Sequence, residues 1–158
     1  MPSLSLKSLL SATALWEHFN SYLHLNASLS HGWGGAHTWF LTTYILGAKR
    51  IGLNSWTLKP ALTGVDYATG SLPLKDGTSH IEWERETCQE AHITINAEDN
   101  SSGEVLIPFL DPSMIITLDG QTNWEDETGI TDIVAPSPNG IIITVNGGTH
   151  TINIHTDC

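Results

Sequence analysis

The clearest strand pattern in this chain is Ser71-Leu-Pro-Leu-Lys-Asp-Gly-Thr-Ser-His-Ile-Glu-Trp-Glu-Arg85. Apolar and polar residues alternate on both sides of Asp76-Gly77, as they do in strands that bury one face. An Asp-Gly pair between two such segments is a strong signal for a tight turn between antiparallel strands. The stretch therefore predicts a β-hairpin whose strands are Ser71–Leu74 and His80–Arg85.

Similar short strands are predicted on both sides of this hairpin. Upstream, Trp56–Pro60 forms a strand that ends at proline, and downstream, Met114–Leu118 forms one that ends at Asp119-Gly120. Two further hairpins are expected, and the acidic, proline-bearing tract 123–139 is interpreted as a loop. The strands and turns of these hairpins are His92–Asn96 and Glu104–Pro108 around Asp99–Gly103, and Ile141–Val145 and Thr149–Ile154 around Asn146–Gly148. Seven or eight antiparallel strands of this kind predict a β-sandwich.

The first 50 residues have a different pattern, which is helical. Ser3–Phe19 carries leucines at helical spacing, and in Ser28–Gly47 a glycine-rich loop precedes a second helix. The apolar stripe of this second helix, which includes Trp39 and Tyr44, requires a packing partner, and Trp39 is expected in the core. Gly47 stands where a left-handed C-terminal cap would end the helix. We therefore expect a helical segment at 1–50 and a β-sandwich at 51–158.

Composition excludes several classes of function. The 158 residues carry only 6 Lys and Arg and a net charge of −11, which argues against nucleic-acid and anionic-membrane partners. No apolar run of 18 residues is present, and the N-terminus lacks the features of a secretory signal, so localisation stays open. The sequence has no nucleotide-binding or serine-elbow motif, and no cofactor is expected.

Metal and disulfide chemistry receive little support from spacing. The chain has 8 histidines, and the pairs His31/His37 and His18/His24 fit neither the i, i+4 helical spacing nor a Cys-x-x-Cys spacing, so no metal site is expected. The tract Glu98–Gly103 lacks the later glutamate of a calcium loop and is interpreted as a turn. Cys88 and Cys158 could pair, but two cysteines are not a disulfide framework.

Several motifs in order resemble the C-terminal region of α-L-rhamnosidases of glycoside hydrolase family 78. The motifs are Thr13-Ala-Leu-Trp-Glu17, Ser30-His-Gly-Trp-Gly34, Thr38-Trp39, Leu46-Gly47, Trp56–Pro60, Gly70–Pro73, Gly77 and Ile81–Trp83. The resemblance runs from about Pro2 to the end of the chain, and the full enzymes are several times longer. It implies the last helices of a six-hairpin (α/α)6 catalytic barrel, followed by the C-terminal β-sandwich domain of that family.

The resemblance also implies residue roles in an inverting hydrolysis of terminal α-L-rhamnose. Glu17 matches the glutamate taken as the general base, and His31 matches a histidine that contacts the sugar, with Trp33 beside it in the same loop. An inverting glycosidase needs a carboxylate that polarises water opposite a proton-donating carboxyl. The alternatives are an exposed helix-surface Glu17, a His31 bonded within its own loop, and a Trp33 that fills the core.

The general acid of the family lies upstream of the region that this chain matches. We therefore expect the isolated chain to be inactive, and its partners to be a rhamnose-containing glycoside and the missing barrel domain of a parent enzyme. One rival hypothesis is a stand-alone carbohydrate-binding module, for which Trp56, Trp83 and Trp124 would form the aromatic platform. A second rival is a truncated, non-functional product, which would expose an apolar helix face.

Overall fold

A computed structural model describes residues 36–86, 90–108, 113–125, 128–129 and 134–156 of the chain. The described residues divide into two units. Ala36–Phe40 belongs to the first unit, and all described residues from Leu41 onward belong to the second. Within the described part, no helix has the length and apolar character that crossing a bilayer requires.

The described residues form one short helical stretch and ten strands. The helix α1 spans Ala36–Phe40, and a π-helical turn, π1, spans Leu41–Leu46. The strands are β1 (Ala48–Arg50), β2 (Ser55–Leu58), β3 (Tyr67–Pro73), β4 (Thr78–Arg85), β5 (Glu90–Ile107), β6 (Ile115–Leu118), β7 (Gln121–Glu125), β8 (Thr128–Gly129), β9 (Val134–Ser137) and β10 (Gly140–His155). The predicted mainly β class is confirmed.

All ten strands belong to one hydrogen-bonded mixed sheet built around the long strands β5 and β10. In the part that we call the antiparallel half, β4 pairs with the start of β5 and β6 pairs with the end of β10. In the part that we call the mixed half, β2 runs parallel to the end of β5, and β9 pairs with the start of β10. The two-layer sandwich and the two-helix segment before it stay predictions.

The register between β5 and β10 shifts where the two halves meet. Asn146 pairs with Ser102 and Gly148 pairs with Ala97. The step from 146 to 148 along β10 therefore opposes the step from 102 to 97 along β5, and the pairing is displaced by an odd number of residues. The odd displacement changes which alternate residues of β10 face inward. Ile143 and Val145 are buried before the shift and Ile152 after it. The side chains of both halves thereby contribute to a single apolar core.

Two of the predicted hairpins are wrong, because each is one continuous strand. Asp99–Gly103 lies inside β5, and Asn146–Gly148 lies inside β10. A Cβ at Gly147 would overlap the backbone of Asp99, so the two turn-like stretches lie against each other. Glycine and polar residues here permit an irregular passage between the halves rather than chain reversal. The predicted loop 123–139 is also partly wrong, since it includes the end of β7 and all of β8 and β9.

Other sequence expectations agree with the structure. Pro73 pairs with Thr78 across the first predicted hairpin, and Leu118 pairs with Gln121 across the turn at Asp119-Gly120. Gly47 has a φ of 84° directly after π1, as a left-handed cap requires.

The expectation that Trp39 is in the core is wrong, because 60% of its surface is exposed.

Candidate functional site

The three residues predicted to form the catalytic and sugar-binding site lie outside the described residues. These are Glu17, His31 and Trp33. Their roles as general base and sugar contacts therefore stay predictions. The described residues instead show what the β region offers chemically.

The tryptophans that a carbohydrate-binding platform would need are buried. Trp56 and Trp83 have no exposed surface, and Trp124 is 3% exposed. The indole N–H of Trp83 donates to the Leu46 carbonyl at 3.0 Å, and that of Trp56 donates to the Ser101 hydroxyl at 3.3 Å. Inward-facing strand positions are filled by the largest apolar side chains, because these gain most from leaving water. The predicted platform is therefore wrong.

A groove in the second unit lies beside Gly47 and has a volume of about 570 Å³. Its lining combines apolar surface with hydroxyl and ammonium groups from π1, β1, β2 and the segment after β2. The polar members of the lining include Thr43, Lys49, Thr57, Lys59 and Thr63. Such a surface can hydrogen-bond a polar ligand.

A smaller groove of about 340 Å³ lies between π1 and β3, and its apolar lining includes Leu41, Ile45 and Tyr67. Neither groove is lined by an aspartate, a glutamate or a histidine. Glycoside hydrolysis requires a pair of carboxyl groups across the scissile bond. The lining of these two grooves therefore supplies no acid–base pair.

The one resolved change in acidity among the described residues is at the β6–β7 turn. Burial raises the pKa of the Asp119 carboxyl. The hydrogen bond from the Thr151 backbone N–H and the contact with His150 together lower the pKa by more than burial raises it, so it lies below the ordinary 3.8. The two bonds measure 2.8 Å and 2.9 Å. The carboxylate thus connects the turn to β10, which is a structural role.

Glu86, Glu90 and His92 come together on the exposed face of the antiparallel half. One ligand-capable atom of each lies within 4.8 Å of the others. Helical-pair and Cys-x-x-Cys spacings do not include this group, so the sequence did not predict it. The overlooked signal is Glu90-x-His92, since residues two apart on a strand share a face.

Comparisons with known proteins bear on the fold. No protein-family model and no curated protein sequence matches the chain. An α-L-rhamnosidase from Dictyoglumus thermophilum superposes with a TM-score of 0.69 and 22% identity over 96% of this chain. The chain is therefore similar in fold to one region of that enzyme. It spans 17% of the length of that enzyme, so the likeness concerns one region of a longer protein.

A second solved structure is less similar. It is a GH127 β-L-arabinofuranosidase from Geobacillus stearothermophilus T6, with a TM-score of 0.42 and 13% identity. The match covers 73% of this chain and 17% of that enzyme.

Proposed function

We propose that this chain is the C-terminal region of an α-L-rhamnosidase-like enzyme of glycoside hydrolase family 78. On this proposal, residues 1–50 end a catalytic helical barrel and residues 51–158 form its C-terminal β-sandwich domain. The parent enzyme hydrolyses terminal α-L-rhamnose from glycosides with inversion. The observation that carries the proposal is the rhamnosidase-like fold over 96% of the chain, combined with the ordered motifs that resemble the family.

In this proposal, Glu17 is the general base, and His31 and Trp33 contact the sugar. A water molecule polarised by Glu17 would attack the anomeric carbon, while a carboxylic acid outside this chain protonates the leaving oxygen. The resemblance places the family's general acid upstream of the region that this chain matches. On this proposal, the chain alone is therefore an incomplete active site.

The test has two arms, which use an aryl α-L-rhamnoside as the substrate. The purified 158-residue chain should release no aryl alcohol above the uncatalysed rate, because general acid catalysis and substrate positioning each contribute large factors. Robust hydrolysis by the chain alone would contradict the incomplete-site proposal. Its matched control is Glu17→Gln, which should behave identically if the chain is inactive.

The second arm examines a parent protein. The transcript should continue in frame upstream of the Met1 codon into a helical barrel. In that longer protein, Glu17→Gln should remove nearly all turnover at unchanged folding, whereas His31→Ala should mainly raise KM. A fully active Glu17→Gln parent would contradict the assignment of the general base. An upstream sequence that encodes no barrel would contradict the parent enzyme itself.

A further inference from the structure

Four potential metal ligands lie at one end of the antiparallel half. Glu86 follows β4, Glu90 begins β5 with His92 two residues later, and His155 ends β10. Glu90 pairs directly with His155 across the β5–β10 ladder. Because Ala91 and the other alternate residues of β5 are buried, these side chains share the opposite, solvent-facing side of the sheet.

Ligand atoms of Glu86, Glu90 and His92 lie close enough together to hold one ion after side-chain rotation, and His155 lies beside Glu90, from where its ring must turn towards the other three. His92 Nε2 lies 4.0 Å from a Glu86 carboxylate oxygen, and His155 Nδ1 lies 3.6 Å from a Glu90 oxygen. Tetrahedral ligands at the usual zinc bond lengths are about 3.3–3.6 Å apart. The side chains are between 43% and 54% exposed, so each has room to make such a rotation.

Asn153 and Thr117 orient the His92 ring through two successive hydrogen bonds. His92 Nδ1 lies 2.7 Å from the Asn153 amide oxygen, and the Asn153 amide nitrogen donates to the Thr117 hydroxyl at 3.2 Å. An amide oxygen only accepts, so Nδ1 carries the proton and Nε2 presents its lone pair towards the glutamates. A histidine that ligates a metal is oriented by a hydrogen bond of this kind.

We propose that Glu86, Glu90 and His92, with His155 as the fourth donor, bind a divalent d-block cation of the zinc type. Imidazole nitrogens together with carboxylates favour Zn²⁺ over the oxygen-preferring Ca²⁺ and Mg²⁺. The cation also offsets the repulsion between two neighbouring carboxylates in a chain of net charge −11. It would join β4, β5 and β10 at their common end, as a structural staple independent of glycoside hydrolysis.

The test is calorimetric titration of the tag-free 158-residue chain with ZnCl₂. Cys88→Ser and Cys158→Ser are present throughout, so that thiolates do not contribute. One equivalent should bind, and His92→Ala should weaken the affinity at least tenfold. Asn153→Ala should weaken it by about 10- to 100-fold, because it removes the orienting bond but no ligand.

The matched control is His80→Ala, on the neighbouring strand. His80 bonds to Ser71 rather than to the proposed site, and its removal should leave the zinc affinity unchanged. Equal effects of His80→Ala and His92→Ala, or no binding without the cysteines, would overturn the proposal. If His92→Ala fails to fold, Glu90→Gln replaces it with the same expected loss.

A second measurement is the absorption spectrum of Co²⁺ bound to the chain that has both cysteine substitutions and all four proposed ligands. It should show tetrahedral d–d bands, and an octahedral spectrum would also overturn the proposal.

Discussion

At the level of single residues, the contact between Trp56 and Gly103 leaves no room for a side chain at position 103. The two residues are partners in the parallel β2–β5 pair, and the indole ring lies over the glycine. A Cβ at position 103 would overlap the six-membered ring, and Trp56 is fully buried, so the ring has no free space to enter. This pair therefore fixes how closely β2 approaches β5.

Gly103→Ala should destabilise the chain by about 1–3 kcal/mol or more, because it overpacks a closed core. Urea unfolding measures the difference. The matched control is Gly52→Ala, whose Cβ would meet the Ser55 side chain at 3.3 Å on an exposed bend and should cost far less. Equal stability of the two variants would show that Trp56 can move aside.

Asp119 gives stability a dependence on acidic pH. Its folded-state pKa lies below 3.8, so its contribution is fully present above the unfolded pKa and is lost as pH falls through the folded value. Asp119→Asn, which tolerates the φ of 52°, should be less stable than the parent chain at pH 6 by under about 1 kcal/mol, because the group is exposed. The difference should disappear towards pH 2. Urea midpoints across this range that stay a constant distance apart would contradict this role.

At the scale of elements, Trp83 joins π1 to the sheet. Its indole N–H reaches the carbonyl of Leu46, the last residue of π1, which the helix itself leaves without a donor. Leu46 also packs against Gly70 of β3. One tryptophan on β4 thus holds the end of a helical segment that is distant in sequence.

Trp83→Phe should lower stability by about 1–3 kcal/mol, because the buried carbonyl loses its partner. Amide hydrogen exchange should quicken in residues 41–46 more than along the β5–β10 ladder. A uniform change in exchange over all strands would show instead that Trp83 acts only through core packing.

The sequence predicts short, regular elements better than long, irregular ones. The turns at Asp76-Gly77 and Asp119-Gly120 and the cap at Gly47 are local, so residue type alone specifies them. Whether Asn146–Gly148 reverses the chain or continues it depends on the strand beside it, and no local pattern contains that information. The prediction that Trp39 is buried is wrong because periodic spacing identifies the apolar face of a helix but not what packs against that face.

The candidate sites follow the same division. The Glu90-x-His92 spacing is visible in the sequence, whereas its alignment with His155 needs the β5–β10 register. The burial of Trp56 and Trp83 follows from strand alternation once the inward face is known. The predicted roles of Glu17 and His31 come from family resemblance alone and await the experiments on a parent enzyme.

At the scale of the molecule, the β region includes residues that precede the predicted boundary at 50/51. Leu46 and Ala48 are buried members of the common core, and β1 pairs with β2. A chain shortened to 41–158 keeps these contacts, whereas one shortened to 53–158 loses them. Their loss removes apolar side chains from one side of a packed core.

The 41–158 chain should unfold cooperatively with a β-type circular dichroism spectrum. The 53–158 chain should be less stable by several kcal/mol, because removal of Leu46 alone is comparable to a large-to-small core substitution of about 2–5 kcal/mol. Urea denaturation of both chains gives the comparison. Equal urea midpoints would show that Leu46 and Ala48 do not stabilise the β domain, and would place the domain boundary after β1.

Both halves of the sheet include β5 and β10, and we expect one half to fold before the other. The β3–β4–β5 meander closes through neighbouring segments, as the pairs Pro73–Thr78 and Arg85–Ala91 show. The mixed half must instead bring Ser55 to Ser102, across the whole meander. Contacts between distant segments require more chain entropy to be lost before any bonding compensates for it. We therefore expect the meander to form first and the docking of β2 beside β5 to be a later and slower step of folding.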